Sequence, residues 1–189
     1  MSQSGRLSYL AATLDRLSVP YMLTGSLVSS LQGVPRSTHD IDIVVDLPAH
    51  QIDVVYEAFP SPDFYLSREA MIEAIRTGGM FNVLDNKEGD KFDFWLLTDE
   101  PFDRCRFNRR HLTDVDGIQV PVSTPEDTIL MKLKWSRDAG GSRRQYRDAL
   151  NVYELQRGTL NVGYIEQWIV ELGLTDEWNR LLAEAKPAA

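Results

Sequence analysis

The sequence predicts an α+β protein, with an α/β part over residues 1–123 followed by a helical part over residues 124–189. Three observations carry this. Helical and extended stretches alternate through the first third of the chain. Two pairs of β-branched and aromatic runs, each pair joined by turn residues, follow between residues 80 and 122. From Thr124 onward the apolar residues recur at helical spacing only.

The elements follow in order. Leu7, Leu10, Ala11, Leu14 and Leu17 line one face of a first helix, which Pro20 ends. Residues 21–24 read as a short buried strand, broken by Gly25-Ser26 before a helix over 27–32 that Gly33 and Pro35 close. The β-branched run 41–45, bounded by Asp46 and Pro48, predicts a strand, and 51–58 a helix. A further strand is expected at 64–66. A helix over 67–76 follows, capped by Ser67 and stopped by Gly78-Gly79. Residues 80–84 and 92–97 form a predicted hairpin across the turn-rich 85–90. Residues 111–115 and 118–122 form another across Asp116-Gly117, a dipeptide suited to positive φ angles. Thr124-Pro125-Glu126-Asp127 combines an N-cap, a proline at the first helical position and early acids. Helices are expected over about 125–137, 143–156, 162–172 and 175–185.

At 189 residues the chain can bury a real core, and its 43% hydrophobic and 25% charged residues are those of a soluble globular protein. Neither a signal-peptide run nor about 18 uninterrupted apolar residues occurs, so a cytoplasmic location without a membrane is expected. One cysteine, Cys105, excludes an intrachain disulfide and a cysteine metal cluster. His39, His50 and His111 are too scattered for a zinc site. The formal charge of −8 opposes sequence-independent adhesion to nucleic acid. The charge is uneven, however. Arg104, Arg106, Arg109, Arg110 and His111 form one basic cluster, and Lys132, Lys134, Arg137, Arg143, Arg144 and Arg147 a second. Each suits either polyphosphate or the neutralisation of nearby acids.

The residues that carry chemistry begin with Asp40 and Asp42. On a strand, positions two apart share a face, so the two aspartates project together while Ile41, Ile43 and Val45 face the core. Mg²⁺ takes hard oxygen ligands and keeps waters and substrate phosphates, so one or two carboxylates suffice. Asp93 is a third acid, placed with Trp95 opposite the apolar face of Phe92, Phe94 and Leu96. Taken alone, Asp40 also suits a turn at a strand start, and Asp42 an exposed position on a half-buried strand. Gly25-Ser26 adds a phosphate-binding element, because glycine admits close backbone approach and amides at a helix start favour an anion. Arg36 and Thr38 precede the clamp, where a guanidinium can fork onto phosphate oxygens or the loop can simply cap the strand.

Leu23-Thr-Gly-Ser26 followed by Arg36-Ser-Thr-His-Asp-Ile-Asp42 resembles the DNA polymerase β type nucleotidyltransferase superfamily. Its form is a Gly-Ser pair, an Asp-x-Asp strand and a later strand with a third Asp, here Asp93. The resemblance implies a nucleotidyltransferase fold, a mixed β-sheet flanked by helices, with residues 1–123 as its core and 124–189 as a C-terminal helical subdomain. The segment Thr124-Pro-Glu-Asp-Thr-Ile-Leu-Met-Lys132, with Arg147-Asp148, resembles the nucleotidyltransferases of bacterial abortive-infection toxin systems. That likeness implies that Lys132 and Asp148 belong to the site, with Lys132 on triphosphate. Asn151 departs from it, standing where an Asp commonly follows. From the residues alone, Lys132 reads equally as a helix-surface lysine covered by Ile129 and Trp135, and Asp148 as a partner of Arg144 one turn earlier.

The expected activity is therefore transfer of a nucleoside monophosphate from an NTP to a hydroxyl of RNA or tRNA, a protein or a small molecule. Asp40, Asp42 and Asp93 would hold Mg²⁺ or Mn²⁺, and Gly25, Ser26, Arg36, Thr38, Lys132 and Asp148 would bind nucleotide. The toxin likeness adds an antitoxin partner. Two other readings stand beside it: a non-catalytic nucleotide- or partner-binding regulator of the same fold, and a glycosyltransferase using Asp-x-Asp, for which the chain is short and lacks a Rossmann-type glycine pattern.

Overall fold

The structure is a computed structural model describing residues 3–38, 40–87 and 89–186. The chain divides into two compact units, Met1–Thr24 with Thr38–Val122 and Gly25–Ser37 with Ser123–Ala189. No helix among the described residues is long and apolar enough to cross a membrane.

The first unit is built on a seven-stranded mixed sheet. Its helices are α1 (Gln3–Arg16), α3 (Ile52–Glu57), α4 (Arg68–Thr77) and α5 (Pro101–Asn108), and a short 3₁₀ turn, Ala49–Gln51, precedes α3. Its strands are β1 (Tyr21–Thr24), β2 (Asp40–Val45), β3 (Phe64–Leu66), β4 (Met80–Asp85), β5 (Lys91–Leu96), β6 (His111–Val115) and β7 (Ile118–Val122), in the order β3-β4-β5-β2-β1-β7-β6. β2 runs parallel to β5 and β1 parallel to β7, while the remaining pairs are antiparallel. The expected hairpins β4–β5 and β6–β7 both form. Asp116 and Gly117 take φ values of 54° and 84° in the second turn, as a tight hairpin requires. Ser67 caps α4 by accepting from the Ala70 amide at 3.1 Å, and Gly78 ends that helix in the left-handed region.

Alternation along the central strands separates two faces. Ile41, Ile43 and Val45 of β2 and Phe92, Phe94 and Leu96 of β5 are buried on one, where Phe59, Phe64 and Tyr9 of α1 form aromatic contacts around them. The other face carries Asp40 and Asp42 at one end of β2 and Val44 at the other. There Phe107 of α5 packs on Met22, Val44 and Leu97. Residues 98–110 show no periodic apolar pattern, so α5 is an element that sequence patterning does not predict. It buries only Phe102, Arg106 and Phe107.

The second unit holds α2 (Gly25–Gln32) with α6 (Pro125–Asp138), α7 (Arg143–Gln156), α8 (Val162–Glu171) and α9 (Thr175–Glu184). The start signal at Thr124 is fulfilled: its hydroxyl accepts from the Asp127 amide at 3.2 Å and donates to Asp127 Oδ2 at 2.6 Å. Asp127, fully buried, also accepts from the Tyr164 hydroxyl at 2.6 Å, and Glu126 accepts from the Asn161 amide at 2.9 Å, which ties the start of α8 to α6. Gly33 marks the close approach of α2 to α7. A Cβ there would lie 3.1 Å from the Val152 nitrogen.

Candidate active site

The sheet unit gathers the acids. Asp42 pairs in register with Asp93 across the parallel β2–β5 ladder and with Thr24 across β1, and Asp40 pairs with Lys91. Paired positions share a face, and strands lie about 4.8 Å apart, so the Asp42 and Asp93 carboxylates project side by side. Like charges directly opposite repel. One compensation is built in: Lys91 Nζ reaches Asp93 Oδ2 at 2.9 Å. That hydrogen bond holds the Lys91 ammonium above its ordinary range despite partial burial, with the charges of Asp93, Asp40 and Asp42 acting in the same direction. Trp95 stands on the same face and donates to Asp42 Oδ1 at 3.5 Å. Asp40 is exposed, Asp42 half-buried and Asp93 buried, and among the described residues Asp93 Oδ1 has no hydrogen-bond partner. Thr38 donates to the Asp40 carbonyl at 3.4 Å. His39 lies outside the described residues.

A buried carboxylate oxygen with no partner, beside a second carboxylate in register, fits a hard divalent cation that brings phosphates and waters to complete its shell. Among the described residues no three His, Cys, Asp or Glu side chains gather as a ready-made cage. The fit is therefore to a clamp of one or two aspartates, with Asp40 at its exposed edge.

The helical unit gathers the remaining candidates. Gly25, at φ 71°, opens α2 directly after β1, and Ser26 follows, buried. Arg36 forks onto Asp148, with Nε 3.2 Å from Oδ1 and Nη2 3.0 Å from Oδ2, and Nη2 also donates to Ser26 Oγ at 2.6 Å. Lys132, only 1% exposed, donates to Asp148 Oδ2 at 2.9 Å and to Gln145 Oε1 at 2.8 Å. Ser29 Oγ lies 3.4 Å from Asp148 Oδ2. Burial pushes the Asp148 carboxyl up, but the hydrogen bonds and charges of Arg36 and Lys132 outweigh it and hold the group below the ordinary carboxylate range. Asp148 thus pairs with Arg36 and Lys132 rather than with Arg144. Lys132 is interior, with Trp135 5.6 Å from its ammonium.

Sequence reasoning set Trp95 beside Asp93 but passed over Lys91, Ser29 and Gln145 as members of these clusters. The period-2 alternation that placed Asp93 also places Lys91 and Trp95 on its face; Ser29 and Gln145 carry no local signal. Three members of the first basic cluster are engaged internally. Arg104 pairs with Asp99, buried Arg106 with Asp103, and Arg110 lies 4.0 Å over the Phe107 ring.

The mixed seven-stranded sheet with its flanking helices is a nucleotidyltransferase fold. No family model and no curated protein sequence matches the chain. Among solved structures, ANT(2")-Ia in complex with adenylyl-2"-tobramycin superposes with a TM-score of 0.60 at 12% identity, covering 91% of this chain and 97% of that one. An antigenic nucleotidyltransferase-like protein from Paracoccidioides brasiliensis gives 0.56 at 18% identity, over 97% and 94%. The lincosamide antibiotic adenylyltransferase LnuA, lincomycin-bound, gives 0.54 at 14% identity, over 79% and 95%. At these identities the likeness is one of fold.

Proposed function

We propose that the chain is a metal-dependent nucleotidyltransferase that moves a nucleoside monophosphate from an NTP to a hydroxyl acceptor. The observation that carries this is the in-register pair Asp42–Asp93, with one buried Asp93 oxygen left without a partner. The fold's likeness to adenylyltransferases agrees with it. Asp42 and Asp93, with Asp40 at the edge, would hold Mg²⁺ or Mn²⁺. A bound divalent cation there supplies charge neutralisation for the phosphates and for the leaving pyrophosphate. The acceptor hydroxyl oxygen forms a bond to the α-phosphorus as the bond to the pyrophosphate oxygen breaks, and Asp93 takes the hydroxyl proton. Lys91 orients Asp93 through Oδ2. In the helical unit, Ser26, Gly25 and the Arg36–Lys132 pair provide donors for phosphate. Positioning and charge account for most of such catalysis.

The toxin role and antitoxin partner rest on Thr124–Lys132 and Arg147-Asp148 alone. Capping and the buried Lys132–Asp148 pair already give those motifs a structural account. A non-catalytic nucleotide- or partner-binding regulator is the second reading, favoured by the ammonium seated on Asp93.

The test uses each α-labelled NTP with Mg²⁺ and three acceptor pools: RNA including tRNA, protein, and hydroxylated small molecules including an aminoglycoside and a lincosamide. Label should pass to one pool with release of pyrophosphate. Asp42→Ala and Asp93→Asn should each lower kcat/KM at least about 100-fold, about 2.7 kcal/mol in the barrier. NTP binding without transfer to any pool supports the regulator. Transfer that survives both substitutions would sink the proposed site.

A further inference from the structure

Three of the six cations of the second basic cluster are committed: Lys132 to Asp148, and both Lys134 and Arg137 to Asp138. Of the rest, Arg144 is exposed and does not line the cavity that Arg143 and Arg147 share. Arg143 and Arg147 are both exposed, and among the described residues neither lies within ion-pairing distance of a carboxylate. Set one turn apart on α7, they line a cavity of about 270 Å³ with Tyr146, Leu150 and, from α9, Arg180 and Glu184. We propose that this cavity is a phosphate-binding pocket, separate from the residues assigned to transfer.

Three guanidinium groups against one carboxylate leave a strong positive surplus at the cavity. Arg180 is pre-positioned: its guanidinium lies 4.1 Å over the Tyr146 ring, and its Nε donates to Glu184 Oε1 at 2.8 Å. Both its Nη groups are left without a protein acceptor among the described residues. Guanidinium edges so presented match the oxygens of a phosphate, which they can engage in pairs. Inside the same cavity Tyr146 is buried with its hydroxyl turned to the Glu184 carboxylate, and its ring is the platform on which the Arg180 guanidinium lies. The volume falls just below the roughly 300–1,000 Å³ of pockets for drug-sized molecules, so it suits a phosphate and an adjoining sugar better than a whole nucleoside triphosphate. Leu150 supplies an apolar wall for such a sugar.

A phosphate of this kind comes either free, as inorganic phosphate or a monoester, or from the backbone of a single-stranded RNA. The experiment separates the sources with no NTP and with EDTA present, so it is independent of the transfer reading. A fluorescent single-stranded RNA oligomer is titrated by anisotropy at two salt concentrations, and inorganic phosphate is titrated separately and as competitor. Arg143→Gln/Arg147→Gln should weaken whichever ligand binds at least about 10-fold and, for RNA, lower the log–log salt slope by about 1.4, two phosphates at about 0.7 each. Arg180→Gln should weaken binding a few-fold, while the exposed, paired Arg76→Gln should bind as wild type. Binding of RNA that millimolar phosphate does not displace assigns the pocket to a nucleic-acid backbone, and binding of phosphate alone with the same variant dependence assigns it to a free phosphate. The proposal is overturned if wild type binds neither, or if the double variant, folded by circular dichroism, binds both undiminished.

Discussion

Asp148→Asn isolates the charge at the centre of the helical unit while keeping the side chain's shape. The native carboxylate receives Arg36 through two nitrogens, Lys132 and Ser29. An amide offers a single acceptor oxygen and turns an NH₂ group toward those donors. Removing one partner of a buried ion pair costs about 3–5 kcal/mol, because the other charge stays buried and uncompensated. Arg36 has a side chain 29% exposed and can turn to water, so the penalty concentrates on Lys132 at 1%. Gln145 still accepts from Lys132. The expected loss is therefore about 3 kcal/mol, the lower end of that range, read from urea denaturation of the full chain at pH 7. A pH series adds a sign. The folded value of Asp148 is depressed, so its contribution is complete above the unfolded value of about 3.9 and is lost as pH falls through the folded one. Wild type should then lose stability below about pH 4 more steeply than Asp148→Asn. Lys132→Met/Asp148→Leu, which removes both buried charges, should recover most of the loss. A single-variant cost under about 1 kcal/mol, or a double variant as unstable as the single, would refute the assignment of a buried, charge-dependent pair.

Lys91→Gln frees Asp93 Oδ2 from its ammonium and should tighten Mn²⁺ binding several-fold by electron paramagnetic resonance; unchanged or weaker affinity means that Asp93 does not face the cation. Gly33→Ala places a Cβ 2.9 Å from the Ser29 carbonyl oxygen and 3.2 Å from Val152 Cγ2, and should destabilise the chain by about 1–3 kcal/mol in thermal unfolding. An unaltered melting temperature would show that α2 and α7 can part without cost.

The legible part of the fold is the part written locally. Alternation around Ile41–Val45 and Phe92–Leu96 gave the buried faces, Asp116-Gly117 the tight turn, and Thr124-Pro125 the start of α6, because each depends on neighbours within a few residues. Helix α5 was missed for the converse reason. Its buried residues are too few for a stripe, although Pro101 at the first turn and Asp103 after it are a start signal in themselves. Strand order was illegible, since the parallel β2–β5 pairing and the register of Asp42 with Asp93 join residues about fifty positions apart. The partners of Asp148 were illegible on the same ground: Arg36 lies 112 residues away, while the nearby Arg144 has no part in the pairing.

That distant pairing alters what the candidate residues can do. Arg36 and Lys132, read from sequence as donors to phosphate, already share one carboxylate. On the sheet, Lys91 pairs with Asp93, and Asp40 and Asp42 act on the same ammonium. Under the proposed function the acids of the sheet unit would take a cation and the donors of the helical unit an anion, whereas a purely structural role would leave each an ion-pair network alone. Two arms therefore discriminate a substrate site from a fold-stabilising one: removing Asp93 should abolish cation binding with little effect on stability, whereas removing Asp148 should unfold the chain more readily whatever ligand is present.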